Sequence, residues 1–159
     1  MIRHGKILVT TDFSKCADEG LRRAKVLAKK LGADLHLLHV LEPVLVYGED
    51  SMALSPVQEI TEIRRKTAKK ILETYRQSSD VPITVHLEES FQPPAQVICD
   101  VAKKLPADLI VIASHGHSGL LDHVMIGSIA ERAVCHAPCT VLVTRPHGIL
   151  LQGENNDQN

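Results

Sequence analysis

At 159 residues, 44% of them apolar, the chain is long enough to bury the core of one domain without a disulfide or metal staple. Aromatic residues make up only 3% and tryptophan is absent, so that core must be aliphatic. Eighteen basic residues against 19 acidic ones leave a net charge of −1, which argues against the clustered basic excess of a nucleic-acid-binding surface.

No run approaches the ~18 apolar residues of a membrane span. The opening MIRHGKILVTT lacks the apolar stretch of a secretory signal. A cytoplasmic protein is expected, with neither nucleic acid nor membrane as partner. KILVTT (Lys6–Thr11) is a short β-branched run. Ser14 then offers an N-cap to a helix carrying Leu21, Ala24, Leu27, Ala28 and Leu31 at helical spacing, and Gly32 stops it. DLHLLHVLE predicts a second strand, followed by an open loop over 41–54. Ser55, Pro56 and Gln58 resemble a capping box with proline at the first helical position. Behind them Val57, Ile60, Ile63, Thr67, Ala68, Ile71, Leu72 and Tyr75 mark one face of a long helix.

ITVHLE (Ile83–Glu88) alternates as a half-exposed edge strand does. Pro93 and Pro94 open a third helix that runs through Lys104. DLIVIAS is apolar throughout, as a central parallel strand covered on both faces would be. A glycine-bearing segment, a short helix over Ser128–His136 and a last strand, TVLVTR (Thr140–Arg145), complete the pattern. Strands alternating with helices predict an α/β fold with a mostly parallel sheet and helices on both faces. The domain is expected over 1–146, and the polar tail over 147–159 is expected to be disordered.

Cys16, Cys99, Cys135 and Cys139 fall within helix or strand patterns, as reduced, buried thiols of a cytosolic chain do. Cys135 and Cys139 enclose His136, but a structural zinc wants a second ligand pair and none follows. No metal site is expected.

In open parallel sheets, ligands sit beyond the carboxyl ends of the strands where strand order reverses. That leaves Thr10–Phe13, Val40–Glu42 and Ser114–Gly119 as candidate positions. Gly116 and Gly119 follow a buried strand and let backbone N–H groups approach a ligand. Gly127 and Ser128 stand where a helix begins, and its unpaired N–H groups and dipole favour an anion. The same residues also suit a plain turn with a capping serine. Neither a P-loop nor a G-x-G-x-x-G after the first strand is present, and no nucleophile, base and orienter come together. Holding a nucleotide fits these residues; turning one over quickly does not.

ILVTTDFSKCADEGLRRAKVLAKKLGADLHLLHVLEP near the start, and DLIVIASHG with IGSIAERAVCHAPCTVLVTR near the end, resemble the universal stress protein family over residues 5 to 145. The resemblance implies a five-stranded Rossmann-like sheet in the order 3-2-1-4-5 and a homodimer formed through the last strand. It also implies ATP as ligand in those members that carry G-x2-G-x9-G-[ST] after the fourth strand. In this chain Ala113 stands at the first glycine, Gly116 at the second and Gly127-Ser128 at the end, with ten residues (His117–Ile126) in the spacer. Thr10 occupies a position where many binders have proline.

The implied nucleotide set is Thr10, Thr11, Asp12, Val40, Ile112, Ala113, Gly116, His117, Gly119, Gly127, Ser128 and Ile129. Asp12 would meet the base or ribose, and Val40 and Ile112 would bracket the adenine. Gly116, Gly127, Ser128 and Ile129 would offer N–H groups to the phosphates, with Mg²⁺ accompanying them. His115, His117 and His123 lie beside that site and would favour binding once protonated. The leading expectation is a cytoplasmic stress-response module that binds ATP and dimerises. The alternatives are a nucleotide-free homodimer acting through protein contacts and, weakest, a slow ATPase or phosphotransferase.

Overall fold

The computed structural model describes residues 4–44, 54–115 and 126–145. Each aliphatic run forms a strand: β1 (Lys6–Thr10), β2 (Asp34–Leu41), β3 (Ile83–Glu89), β4 (Leu109–Ala113) and β5 (Thr140–Thr144). All pair in parallel, in the order β3-β2-β1-β4-β5. Four helices alternate with them: α1 (Lys15–Leu31), α2 (Leu54–Gln77), α3 (Pro94–Lys104) and α4 (Ser128–His136). The alternating β3 is an edge strand and the apolar β4 an interior one.

The period of two along each strand divides the core into two layers. Leu8, Leu38, Ile110 and Ile112 pack with Val97, Ile98, Ala130 and Ala133 of α3 and α4. Their chain neighbours Ile7, Val9, Leu37 and Val111 pack on the other side with Leu21, Ala24 and Leu72 of α1 and α2. Each buried Leu, Ile or Val contributes roughly 1.5–3 kcal/mol relative to exposure.

Local signals bound α1 and open α3 as read from sequence, whereas α2 already begins at Leu54, ahead of the cap expected at Ser55. Ser14 Oγ accepts the Ala17 N–H at 3.2 Å, and Gly32 closes α1 at φ 61°, its N–H bonded to the Ala28 carbonyl. Proline stands at the start of α3. The expected apolar faces are only partly used, however. Leu31 is 66% exposed, and Ile60 and Ile63 lie open while Ala68 and Leu72 are buried. Length explains the second case. The 24 residues of α2 span about 36 Å, against about 26 Å for the eight of β2, so its first half overruns the sheet. Leu31→Lys and Ile63→Lys should therefore each shift stability by no more than about 0.5 kcal/mol in urea titrations.

Cys99 is buried, and burial pushes its thiol and that of half-buried Cys139 upward. Cys135, expected to be buried, is exposed. Ala130 and Ala133 turn α4 toward the core. Position 135 lies about 200° around the helix from Ala133, which points it outward. Among the described residues, no three His, Cys, Asp or Glu side chains gather as metal ligands, and no helix is long and apolar enough to cross a membrane.

Candidate functional site

β1 lies between β2 and β4, and the helices that follow β1 and β4 cover opposite faces of the sheet. Chain segments leaving in opposite directions open a crevice above the strand ends. A cavity of about 320 Å³ occupies it, within the roughly 300–1,000 Å³ of small-molecule sites.

The turn after β1 forms one wall. Thr11, Asp12 and His39 line the cavity together with Thr10 and Val40. Thr11 is buried, and its N–H bonds the Leu38 carbonyl at 2.9 Å. Its hydroxyl accepts the Phe13 N–H at 3.0 Å, and Asp12 Oδ1 accepts the Ser14 N–H at 3.0 Å. His39 Nδ1 lies 2.8 Å from the Thr11 carbonyl. A carbonyl only accepts, so Nδ1 carries the proton. Burial holds the His39 imidazole below its ordinary pKa, against the opposing pull of that carbonyl and of Asp12.

β4 and α4 form the facing wall. Ile112, Ala113, Ser114 and His115 lead up to Gly127, Ser128, Ile129 and Ala130. Gly127 is the N-cap and Ser128 the first helical residue, with no side chain capping the helix. The Gly127 N–H is already bonded to the Ser114 carbonyl at 2.7 Å, and the Gly127 carbonyl accepts the Glu131 N–H. The donors that the helix leaves without internal partners are therefore those of Ser128, Ile129 and Ala130. Of the N–H groups expected to face a ligand, that of Gly127 is taken up, while that of Ala130, outside that set, is left open. Glycine suits the position for another reason: a Cβ at 127 would crowd the Ser114 carbonyl oxygen at 3.1 Å.

Nine of the twelve residues expected to bind nucleotide border this one cavity: Thr10, Thr11, Asp12, Val40, Ile112, Ala113, Gly127, Ser128 and Ile129. Gly116, His117 and Gly119 lie outside the described residues, as does His123. Val40 and Ile112, on the strands flanking β1, share the core layer that reaches the cavity floor. His115 also borders the cavity, its Nδ1 2.9 Å from Ser114 Oγ. Ser114 is fully buried, so this serine–histidine pair presents no accessible nucleophile.

Sequence reasoning missed His39, Ala130 and the flooring residues Pro94 and Ile98, whereas Glu42, inside the candidate stretch Val40–Glu42, does border the cavity. It also missed Arg64 of α2, which donates to the Glu42 carbonyl at 2.9 Å and brings a cation to the rim. An apolar floor, a turn fixed by its own hydrogen bonds and an open helix start suit capture of an anionic ligand.

Fold and crevice together define an open α/β protein of the Rossmann-like class with a cavity at its switch point. The model of the universal stress protein family matches residues 4–145, and the chain belongs to that family. A universal stress protein of Methanocaldococcus jannaschii is 30% identical over 154 residues, covering 91% of this chain and 87% of that one. The structure of UspA from Lactobacillus plantarum superposes with a TM-score of 0.76 at 28% identity, covering 91% of this chain and all of its counterpart. A universal stress protein from Archaeoglobus fulgidus, solved in complex with dAMP, shares the fold at a TM-score of 0.56 and 21% identity, covering 90% and 98% of the two chains.

Proposed function

We propose that this protein is a cytoplasmic stress-response module that binds ATP in the crevice between the ends of β1 and β4 and acts as a homodimer. The start of α4 carries the reading. Three backbone donors without helical partners open on a cavity with an apolar floor that includes Val40, Ile98 and Ile112, which suits a triphosphate joined to a flat base. Family members solved with dAMP and with cAMP support an adenine nucleotide as the class of ligand. Ser128, Ile129 and Ala130 would hold the phosphates, while Val40 and Ile112 would flank the adenine. Mg²⁺ would enter on the phosphates, since no cluster of three protein ligands awaits it among the described residues. Mass spectrometry of the protein released from gentle purification, followed by calorimetric titration with Mg-ATP, tests the reading. A stoichiometric adenine nucleotide, or saturable binding, is expected. Binding in neither experiment would favour the nucleotide-free dimer.

The dimer reading rests on β5. It is an edge strand with Val141, Leu142 and Val143 half-buried, and an unpaired edge offers its backbone to another chain. Light scattering at micromolar concentration should give twice the monomer mass of 17.5 kDa. Val143→Pro, which removes a backbone donor from the strand, should shift the mass toward monomer. A monomeric wild type would sink the idea.

A further inference from the structure

Phe13 has φ 67°, the left-handed region where a bulky side chain is disfavoured. Such a residue persists only where its surroundings over-determine it, and those surroundings can be traced. Its N–H is bonded to Thr11 Oγ1. Its ring stacks on His39 with centroids 4.1 Å apart and planes 27° from parallel. Tyr75 of α2 also lies near-parallel to the Phe13 ring, with centroids 6.4 Å apart and planes 15° from parallel, its hydroxyl donating to Asp18 of α1. Phe13 is not itself part of the cavity wall, but two of its contacts, His39 and Thr11, are. His39 in turn holds the Thr11 carbonyl.

We propose that Phe13 is a positioning residue of the nucleotide crevice: its ring fixes His39, and through it the Thr11–Asp12 turn, in the arrangement that receives the ligand. The proposal rests on the nucleotide reading above and adds to it a residue outside the wall. A residue serving only as core filling would not need the left-handed conformation, which glycine adopts without strain. The ring is what glycine cannot supply, and only the ring spans from α2 to His39.

Phe13→Gly relaxes the backbone and removes the stack, whereas Phe13→Tyr keeps the ring. Mg-ATP affinity should fall about tenfold in Phe13→Gly and stay near the wild-type value in Phe13→Tyr. NMR gives a second readout independent of ligand. The His39 Nδ1–H signal should be protected from solvent exchange in the wild type and Phe13→Tyr, and lost in Phe13→Gly. Should Phe13→Gly fail to fold, Phe13→Leu keeps bulk without a flat ring and should show the same losses. Unchanged affinity and an unchanged His39 signal in a folded ringless variant would overturn the proposal. A wild type that ignores ATP would remove the nucleotide reading, while the His39 signal would still decide whether Phe13 positions the turn.

Discussion

Ser128→Asp is expected to weaken Mg-ATP binding by roughly fivefold to several-hundredfold without unfolding the protein. The side chain is exposed and stands at the first helical position, so it supports no core contact. A carboxylate there also complements the positive end of the helix dipole, and α4 should be at least as stable as before. The same charge would face the phosphates. Repulsion between unit charges at ~4 Å is on the order of 1 kcal/mol in water and 4 kcal/mol near a protein surface, which sets the range quoted. Ser128→Ala separates charge from hydroxyl: it leaves the backbone donor in place and should cost far less. Calorimetric titration of the three proteins, with thermal melts as the folding control, makes the comparison. Equal affinity in folded wild type and Ser128→Asp would put the phosphates elsewhere.

Why Ser128 could be singled out from sequence, and His39 could not, is a matter of range. Gly127-Ser128, Ser14 and Gly32 announce themselves through nearest neighbours: a cap, a helix start, a left-handed stop. The apolar run of β4 and the alternation of Ile83–Glu88 likewise mark an interior and an edge strand, whereas β5, equally aliphatic, lies at the other edge. Strand order came with the family resemblance, because no residue in a parallel strand encodes its neighbour. His39 sits inside a strand pattern, and nothing beside it reveals that Phe13, from another loop, stacks on its ring. Ala130 looks like any small helical residue until the Gly127 N–H is seen to be spent on Ser114. Helical spacing also overstates burial, since Ile63 has the right period but lies on a part of α2 that extends past the sheet. The role of a side chain is legible where its partners are local, and the crevice is assembled from three distant turns.

That same long-range assembly takes imidazoles partly out of water, and the fold should lose stability in mild acid as a result. His36 of β2 is 9% exposed, and its Nδ1 lies 3.0 Å from Nε2 of His86 on β3. The ring centroids are 5.2 Å apart, so the two nitrogens meet nearly head-on in an N–H···N bond. His36 Nε2 is buried without a partner. A bare lone pair is cheaper to leave there than an N–H, which favours His36 Nδ1 as the donor. Around the pair stand Lys6, Asp34 and Glu88. Burial is the main cause that lowers both pKa values, and Lys6 adds to it at His36, while Asp34 and Glu88 oppose it. Burial lowers His39 as well.

The sign follows directly. An unfolded histidine takes a proton near pH 6.5, whereas the folded one waits until lower pH, so protons bind the unfolded chain first. Stability is then complete above about pH 6.5 and drains away as the pH falls through the lowered folded values. Each unit of depression corresponds to about 1.4 kcal/mol. The paired rings take up protons in two coupled steps, the first shared across the N–H···N bond and the second setting two cations against each other. Carboxylates act at lower pH: Glu19, bonded to Arg22 and Arg23, is held down at about 2 from an ordinary 4.5, so its contribution is lost below the histidine range. Urea midpoints should accordingly fall between pH 7.5 and 5, and His36→Leu, which removes the buried imidazole, should flatten that fall. A wild-type midpoint that stays level across this interval would show that the pair carries no acid sensitivity, and an equal fall in His36→Leu would assign it to other groups.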